Sequence, residues 1–550
     1  MIVRFEERVE KGGKYRLLYR MAVLFLKVCL LLIALYLAYA GIRYSYYSPK
    51  AYDQVIFELP DSPLLHSLVF AGVCLLGGGL CSLPKLLGSS RVGGFLCDGE
   101  RLCRVILFFT CIWLAAVGFF YIREHPYYPE GDQLNTTGGA VYARAGDFSM
   151  FERGGYIGLY EQQKGLVFLY EILFTLFGDF RYDIAAEIHL CMGIVTLAAG
   201  YSFLKIIAPR PVCRILYCLM MAFCLPYIIY LPYVYGDLPS VCFSMILFWA
   251  LAAYGKRIRK RYLAVGSAAA ALGLLTRMNI WIVLIAVGIG MTLLCLEKVG
   301  LRAMLAGGCI ILAAWGAVRA VEAMYEYRSG FERGVGIPSI LWIAMGLQET
   351  DGNPGIYNRY QQGVYEECGF QREAAIRTGR EYIAMRMRSF WENPAYAKYF
   401  FTKKVKMQWL EPLFGSLQAT SHCREGEEPE GWIVSLYYGE LHDLAWKFAN
   451  YYQSVVYLAF LAYAVLSLFT YLEDPTNSAG WIPLIAVVGG FLFSLMWESQ
   501  CRYSLPYFLY LIPFGAVGTG RIAEAAGSFI VQRLNGRGMT TDGNSADEAA

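Results

Sequence analysis

Apolar runs of about 20 residues recur along this chain, and they decide what it can fold into. Roughly 20 apolar residues rising 1.5 Å each cross the ~30 Å hydrocarbon core of a bilayer. A spanning segment in lipid must satisfy its backbone hydrogen bonds internally, so each run reads as a helix. The runs are 21–42, 64–84, 103–121, 183–207, 212–233, 237–254, 262–276, 279–296, 303–322, 452–471, 480–497 and 504–519. They predict an all-α polytopic membrane protein with about 12 transmembrane helices. The composition, 57% hydrophobic and 17% charged, points the same way. The apolar stretch 166–178 is too short to cross upright and reads as a half-helix or interfacial helix, or as a tilted span.

The placement of positive charge predicts orientation. Arg4, Arg8, Lys11, Lys14, Arg16 and Arg20 precede the first run, Lys85, Arg91, Arg101 and Arg104 lie between the second and third, and Lys205, Arg210 and Arg214 flank the turn after the fourth. Lys256, Arg257, Arg259, Lys260 and Arg261 follow the sixth. By the positive-inside rule both termini are cytoplasmic in a plasma-membrane protein, and 122–165, the tip at 234–236, the segment 323–450 and 498–503 are extracytoplasmic. No cleavable signal peptide is evident, because a 20-residue basic segment precedes the first run.

Several chemistries lack their motifs. There is no CxxC, no HExxH and no histidine cluster to bind zinc, and no Walker A or GxGxxG to bind nucleotides. Most of the 16 cysteines fall within apolar runs as small apolar residues, while Cys368 and Cys423 are extracytoplasmic and can pair. The chain divides into two leading helices (1–100), a core of spans around an outer loop at 122–165 (101–322), an extracytoplasmic mostly α or mixed segment (323–450), C-terminal spans (451–519) and a polar, disordered cytoplasmic tail (520–550). Within the outer segment a helix is expected over roughly 372–391, bounded by turn residues Gly352-Asn353-Pro354-Gly355 and Asn393-Pro394.

The residues able to carry chemistry gather at the outer ends of the spans. Asp132, about ten residues past the run ending near Tyr121, is either a solvated loop residue or a carboxylate placed for work at the membrane surface. Arg277 interrupts a long apolar run and Arg502 opens the last one; an ionisable residue in such a place costs roughly 2.5–3.5 kcal/mol on insertion scales, so function is the default expectation. Glu498 and Arg502 are also spaced to pair one helical turn apart. Asp237 begins a span, where either the helix dipole or a substrate accounts for it. Lys164 lies at the end of the outer loop. Lys403, Lys404 and Lys406 read as a solvated or headgroup-facing run, and Trp342 and Trp409 as sugar-stacking or interfacial tryptophans.

Four stretches together resemble one family. They are Gly131-Asp132-Gln133 followed by Tyr160-Glu161-Gln162-Gln163-Lys164-Gly165; Tyr235-Gly236-Asp237-Leu238-Pro239-Ser240; Gly336-Ile337-Pro338 with Trp342 to Gln348 and Gln408-Trp409-Leu410-Glu411-Pro412; and Glu498-Ser499-Gln500-Cys501-Arg502-Tyr503-Ser504-Leu505-Pro506. Their order and topology resemble GT-C fold membrane glycosyltransferases of the protein-mannosyltransferase-like superfamily, glycosyltransferase family 39 and its bacterial relatives. The resemblance implies a GT-C-like bundle and transfer of a sugar, with inversion, from a polyprenyl-phosphate donor to a hydroxyl on an envelope glycan, lipid or protein. It implies Asp132 as the general base, with Arg502, then Arg277, holding the phosphate, and Asp237, Glu498 and Lys164 binding substrate. Many relatives carry an Asp-Glu pair where this chain has Asp132-Gln133, so a divalent cation is not indicated and no metal or other cofactor is implied. The partners implied are the lipid-linked donor, the acceptor and the bilayer, with no nucleic acid. The rivals are a lipid-linked glycan transporter or flippase, which needs charges at mid-membrane, and a non-catalytic scaffold.

Overall fold

The computed structural model describes residues 13–47, 57–86, 98–331, 336–424, 426, 429–469 and 475–538. The chain is an all-α polytopic membrane protein. Its principal helices are α1 (Gly13–Gly41), α2 (Pro63–Leu86), α3 (Gly99–Glu124), α4 (Gly131–Arg144), α5 (Lys164–Phe177), α6 (Tyr182–Ile207), α7 (Pro211–Ala222), α8 (Asp237–Lys256) and α9 (Lys260–Thr276). They continue as α10 (Ile280–Leu294), α11 (Leu301–Ser329), α12 (Ser339–Gly346), α13 (Arg372–Glu392), α14 (Pro394–Trp409), α15 (Glu440–Phe469), α16 (Ile482–Met496) and α17 (Leu505–Gly538). Two short antiparallel pairs are the only sheets among the described residues: β1 (Tyr44–Tyr47) with β2 (Phe57–Pro60), and Glu349–Thr350 with Asn353–Pro354.

Among the described residues nine helices are long and apolar enough to cross a membrane: α1, α2, α3, α6, α8, α10 with its continuation to Glu297, α11, α15, and α16 with the turn from Ser478 that leads into it. The sequence suggested about twelve, and the other three runs are helical but fall short in different ways. The run 212–233 breaks at Phe223–Cys224, where Pro226 sits at the start of a separate short helix, Leu225–Ile229, and leaves α7 at 12 residues. The run 262–276 gives the 17-residue α9. The last, α17, is 34 residues long, and Pro513 interrupts its apolar half. The short run at 166–178 forms the 14-residue α5, and α13 covers the helix expected near 372–391.

The tail expected to be disordered from 520 is instead helical to Gly538; residues 539–550 lie outside the described residues. The extension has a packing cause. Gly77 and Gly78 of α2 lie directly against Ala523 and Ala526 of α17, and Gly527 against the Gly78 carbonyl. A seam of small residues lets the two backbones approach closely, with no hydropathy signal to announce it.

The segment between α11 and α15 does not stand apart from the bundle. Trp409, Leu410, Phe414 and Leu417 belong to the main hydrophobic core, and Trp409 is fully buried with its indole N–H donating to Ser494 Oγ at 3.2 Å. That excludes Trp409 as a sugar-stacking residue. The β1–β2 hairpin joins the two leading helices to the same region: Tyr46 N–H donates to Leu410 O at 3.0 Å, and Lys406 pairs with Glu58 at 2.7 Å.

Candidate functional site

The cavity-bearing end of the bundle is built from loops pinned between helix ends. Gly131 opens α4 with φ of 53°, a conformation that suits glycine, and puts Asp132 in the first helical turn. There the helix dipole favours a carboxylate. Asp132 is exposed, and Tyr156 Oη donates to its Oδ1 at 2.8 Å. Gln133 is buried and structural: its Oε1 accepts from Val234 N–H at 3.0 Å and from the Tyr127 hydroxyl. The residue after Asp132 therefore anchors α4 to the 233–235 segment.

Two glycines seat the turn that carries Arg277. A Cβ on Gly236 would lie 2.0 Å from the Thr276 carbonyl oxygen, and one on Gly165 2.4 Å from that of Leu275. Only glycine permits this approach. Arg277 caps the C-terminus of α9 and makes an ion pair with Asp237, the first residue of α8; the side chains are 10% and 3% exposed. Asp237 thus lies beneath Arg277 and neutralises it.

Arg502 has no such partner. It sits in a one-turn 3₁₀ segment, Cys501–Tyr503, between α16 and α17. Its Nη1 donates to the Tyr233 hydroxyl, and its buried Nε has no hydrogen-bond partner. The guanidinium carbon lies 5.9, 5.5 and 5.3 Å from the ring centroids of Tyr233, Tyr235 and Tyr503, and that of Arg277 lies 5.5 and 5.3 Å from Tyr235 and Tyr503. Two guanidiniums share two tyrosine faces, and one carboxylate is paired with them. The helical-turn pair expected between Glu498 and Arg502 is not made, because the chain leaves α16 extended at Trp497.

Glu498 is buried, with Tyr503 Oη donating to its Oε2 at 3.2 Å. Burial pushes its carboxyl up to about 7, against the pull of the Arg502 charge. Lys404 is equally buried, its Nζ donating to the Gly346 carbonyl, and burial brings it down to about 7 while the Glu498 charge opposes that. Lys404 therefore departs from the solvated run expected at 403–406; Lys403 donates to Gly352 O at 2.8 Å.

Asp132, Arg277 and the neighbouring Glu498 and Arg502, from three distant parts of the sequence, line one cavity of about 340 Å³. That is at the small end of the range for ligand pockets. Lys164 does not reach it. Its ammonium pairs with Glu161 Oε1 at 2.8 Å on the wall of a neighbouring cavity of about 210 Å³, which also holds Arg372. Among the described residues no three His, Cys, Asp or Glu side chains are grouped to hold a metal ion. Sequence reasoning places Tyr156 with the outer-loop aromatics along the headgroup region and gives no catalytic or substrate-binding role to Tyr156, Tyr233, Tyr235, Tyr503 or Trp497. Four of them, Tyr156, Tyr235, Tyr503 and Trp497, line the cavity beside the charged residues. The signal was present in Tyr233-Val234-Tyr235 and Arg502-Tyr503, but with 42 tyrosines in the chain it does not stand out.

No protein-family model and no curated protein matches the chain. A solved structure similar to it is the archaeal oligosaccharyltransferase AglB from Archaeoglobus fulgidus in complex with an inhibitory peptide and a dolichol-phosphate, at TM-score 0.37 and 12% identity. The match covers 82% of this chain and 53% of that one, so the chain spans about half the length of that structure.

Proposed function

We propose that this cavity transfers a sugar from a polyprenyl-phosphate donor to a hydroxyl acceptor, on the extracytoplasmic side of the plasma membrane with both termini cytoplasmic. The observation that carries the reading is Arg502, a cavity-lining guanidinium with an unpartnered buried Nε and no ionic partner. Arg502 is half-buried, but its Nε is fully buried with no acceptor, and such an unsatisfied donor on a charged group costs about 1–3 kcal/mol or more, a cost that a phosphate in the cavity offsets. The ends of apolar helices surround the cavity, which suits a ligand whose tail stays in lipid.

The chemistry follows from charge flow. The acceptor O–H gives its proton to Asp132 as the oxygen bonds to the anomeric carbon from the face opposite the phosphate. The bond from that carbon to the phosphate oxygen breaks, its electron pair leaves with polyprenyl phosphate, and the anomeric centre inverts. Negative charge grows on the phosphate as the bond breaks, so Arg502, with Arg277 beside it, interacts more strongly with the transition state than with the ground state. Asp237 fixes Arg277, and Tyr156 fixes the Asp132 carboxylate. A positioned base contributes roughly 10²–10⁴-fold to such a step. Lys164, in the neighbouring cavity, has no part in it.

The test is reconstitution of the protein in lipid nanodiscs with a panel of radiolabelled polyprenyl-phosphate hexoses, following release of polyprenyl phosphate and the anomeric configuration of the product. Release that depends on Asp132 and Arg502, with an inverted product, supports the transferase. Movement of intact donor across vesicles without cleavage would favour a flippase instead.

A further inference from the structure

The wall of the cavity that starts at Asp132 is a chain of aromatic rings. Tyr156, whose hydroxyl binds Asp132, lies 4.8 Å from Tyr160, centroid to centroid; Tyr160 lies 6.1 Å from Trp342; and Trp342 lies 5.9 Å from Trp497 with the planes 8° apart. Trp497 immediately precedes Glu498, so the arc has a carboxyl group at each end. The rings come from three separate segments: the loop before α5, helix α12 and the end of α16.

These rings differ from the core aromatics of the same protein. Trp409 and Trp481 are 0% and 1% exposed, whereas Tyr156, Tyr160, Trp342 and Trp497 are all half-buried and line the cavity. A centroid separation of 5.9 Å between near-parallel indoles is an offset stack that leaves part of the Trp342 face uncovered, while Trp497 also stacks on Phe493 at 5.0 Å and lines the cavity with the surface those two rings leave exposed. Flat apolar faces edged by carboxyl and phenol groups match one chemical class. A pyranose presents C–H bonds on its faces and hydroxyls around its rim. An acyl chain would leave the polar edge unpaired.

We propose that the arc of Tyr156, Tyr160, Trp342 and Trp497 binds a pyranose ring of a saccharide acceptor, so that the acceptor is a glycan. The saccharide site stands on the arc itself. Its role as acceptor rests on the transfer reaction proposed above, in which the hydroxyl attacked must reach Asp132, the residue held by the arc's first ring. The donor phosphate lies on the tyrosine-caged arginines.

Saturation-transfer NMR on the purified full-length protein tests this with mannotriose, maltotriose, chitotriose and a threonine-containing hexapeptide. At least one trisaccharide is expected to bind the wild type and to lose roughly 3- to 10-fold in affinity in Trp342→Ala and Trp497→Ala, the equivalent of one stacked ring. Trp342→Phe and Trp497→Phe, which keep a flat ring, should retain most of the binding. Trp391→Ala, which removes an indole 86% exposed on α13, should change nothing. Failure of every trisaccharide to bind, binding indifferent to both alanine variants, or binding of the peptide alone overturns the proposal. Saccharide binding by a protein that cleaves no polyprenyl-phosphate hexose overturns the transferase reading and the acceptor role, and leaves the saccharide site in place.

Discussion

The contrast between the two arginines gives a prediction that separates a binding residue from a structural one. Replacing Arg277 by Met leaves Asp237, 3% exposed, as a buried carboxylate without its counter-charge. Breaking such a pair from one side costs roughly 3–5 kcal/mol. Replacing Arg502 by Met breaks no ion pair. It loses one hydrogen bond to Tyr233, about 1 kcal/mol, and ring contacts of roughly 0.5–2 kcal/mol. Against that it removes a half-buried guanidinium whose buried Nε has no acceptor, a cost of about 1–3 kcal/mol, and Met keeps most of the packing volume. The two sides nearly cancel, which puts Arg502→Met close to wild-type stability and Arg277→Met well below it. Apparent melting temperatures in detergent at one fixed scan rate measure the difference. Adding polyprenyl phosphate at about 100 times its Kd should then stabilise the wild type by about 2.7 kcal/mol and leave Arg502→Met unmoved. If Arg502→Met melts as low as Arg277→Met, or gains as much from the lipid as the wild type, Arg502 is a structural residue and the phosphate site is wrong.

Glu498, with its carboxyl raised from 4.5 to about 7, should destabilise the fold progressively as pH rises through that window, by roughly 3 kcal/mol in all. Glu498→Gln should flatten the melting temperature between pH 4.5 and 7 specifically, since Lys404, lowered from 10.5 to about 7, acts in the opposite sense above that window. Gly236→Ala drives a Cβ to 2.0 Å from the Thr276 carbonyl oxygen; it should cost on the order of 1–3 kcal/mol or more and displace Arg277, seen as a lower melting temperature together with lost transfer. Tyr156→Phe removes the 2.8 Å hydrogen bond that orients Asp132, and steady-state kinetics should show kcat down by roughly tenfold with donor KM little changed.

Much of the helical framework was legible because hydropathy reports burial in lipid directly. What it did not report is packing between helices. The break after Ala222 depends on Pro226, and the continuation of α17 past 519 depends on small residues meeting Gly77 and Gly78. The charged groups of the candidate site were legible for a different reason: an ion at a helix end stands out against an apolar background. Their grouping in one cavity was not, since Asp132 and Glu498 are separated by most of the chain. Nor could the sequence distinguish Lys404 from its neighbours Lys403 and Lys406, because burial of one lysine in a run is a tertiary property. Trp409 shows the converse, an expected surface aromatic that the core has absorbed.

The most direct test of the account compares membranes from cells producing the wild-type protein with membranes containing Asp132→Asn at equal level, quantifying polyprenyl-phosphate sugars and envelope glycans by mass spectrometry. One polyprenyl-phosphate sugar should accumulate, and one sugar should be missing from a glycan, in Asp132→Asn alone. Indistinguishable profiles from two folded, equally abundant proteins would contradict it.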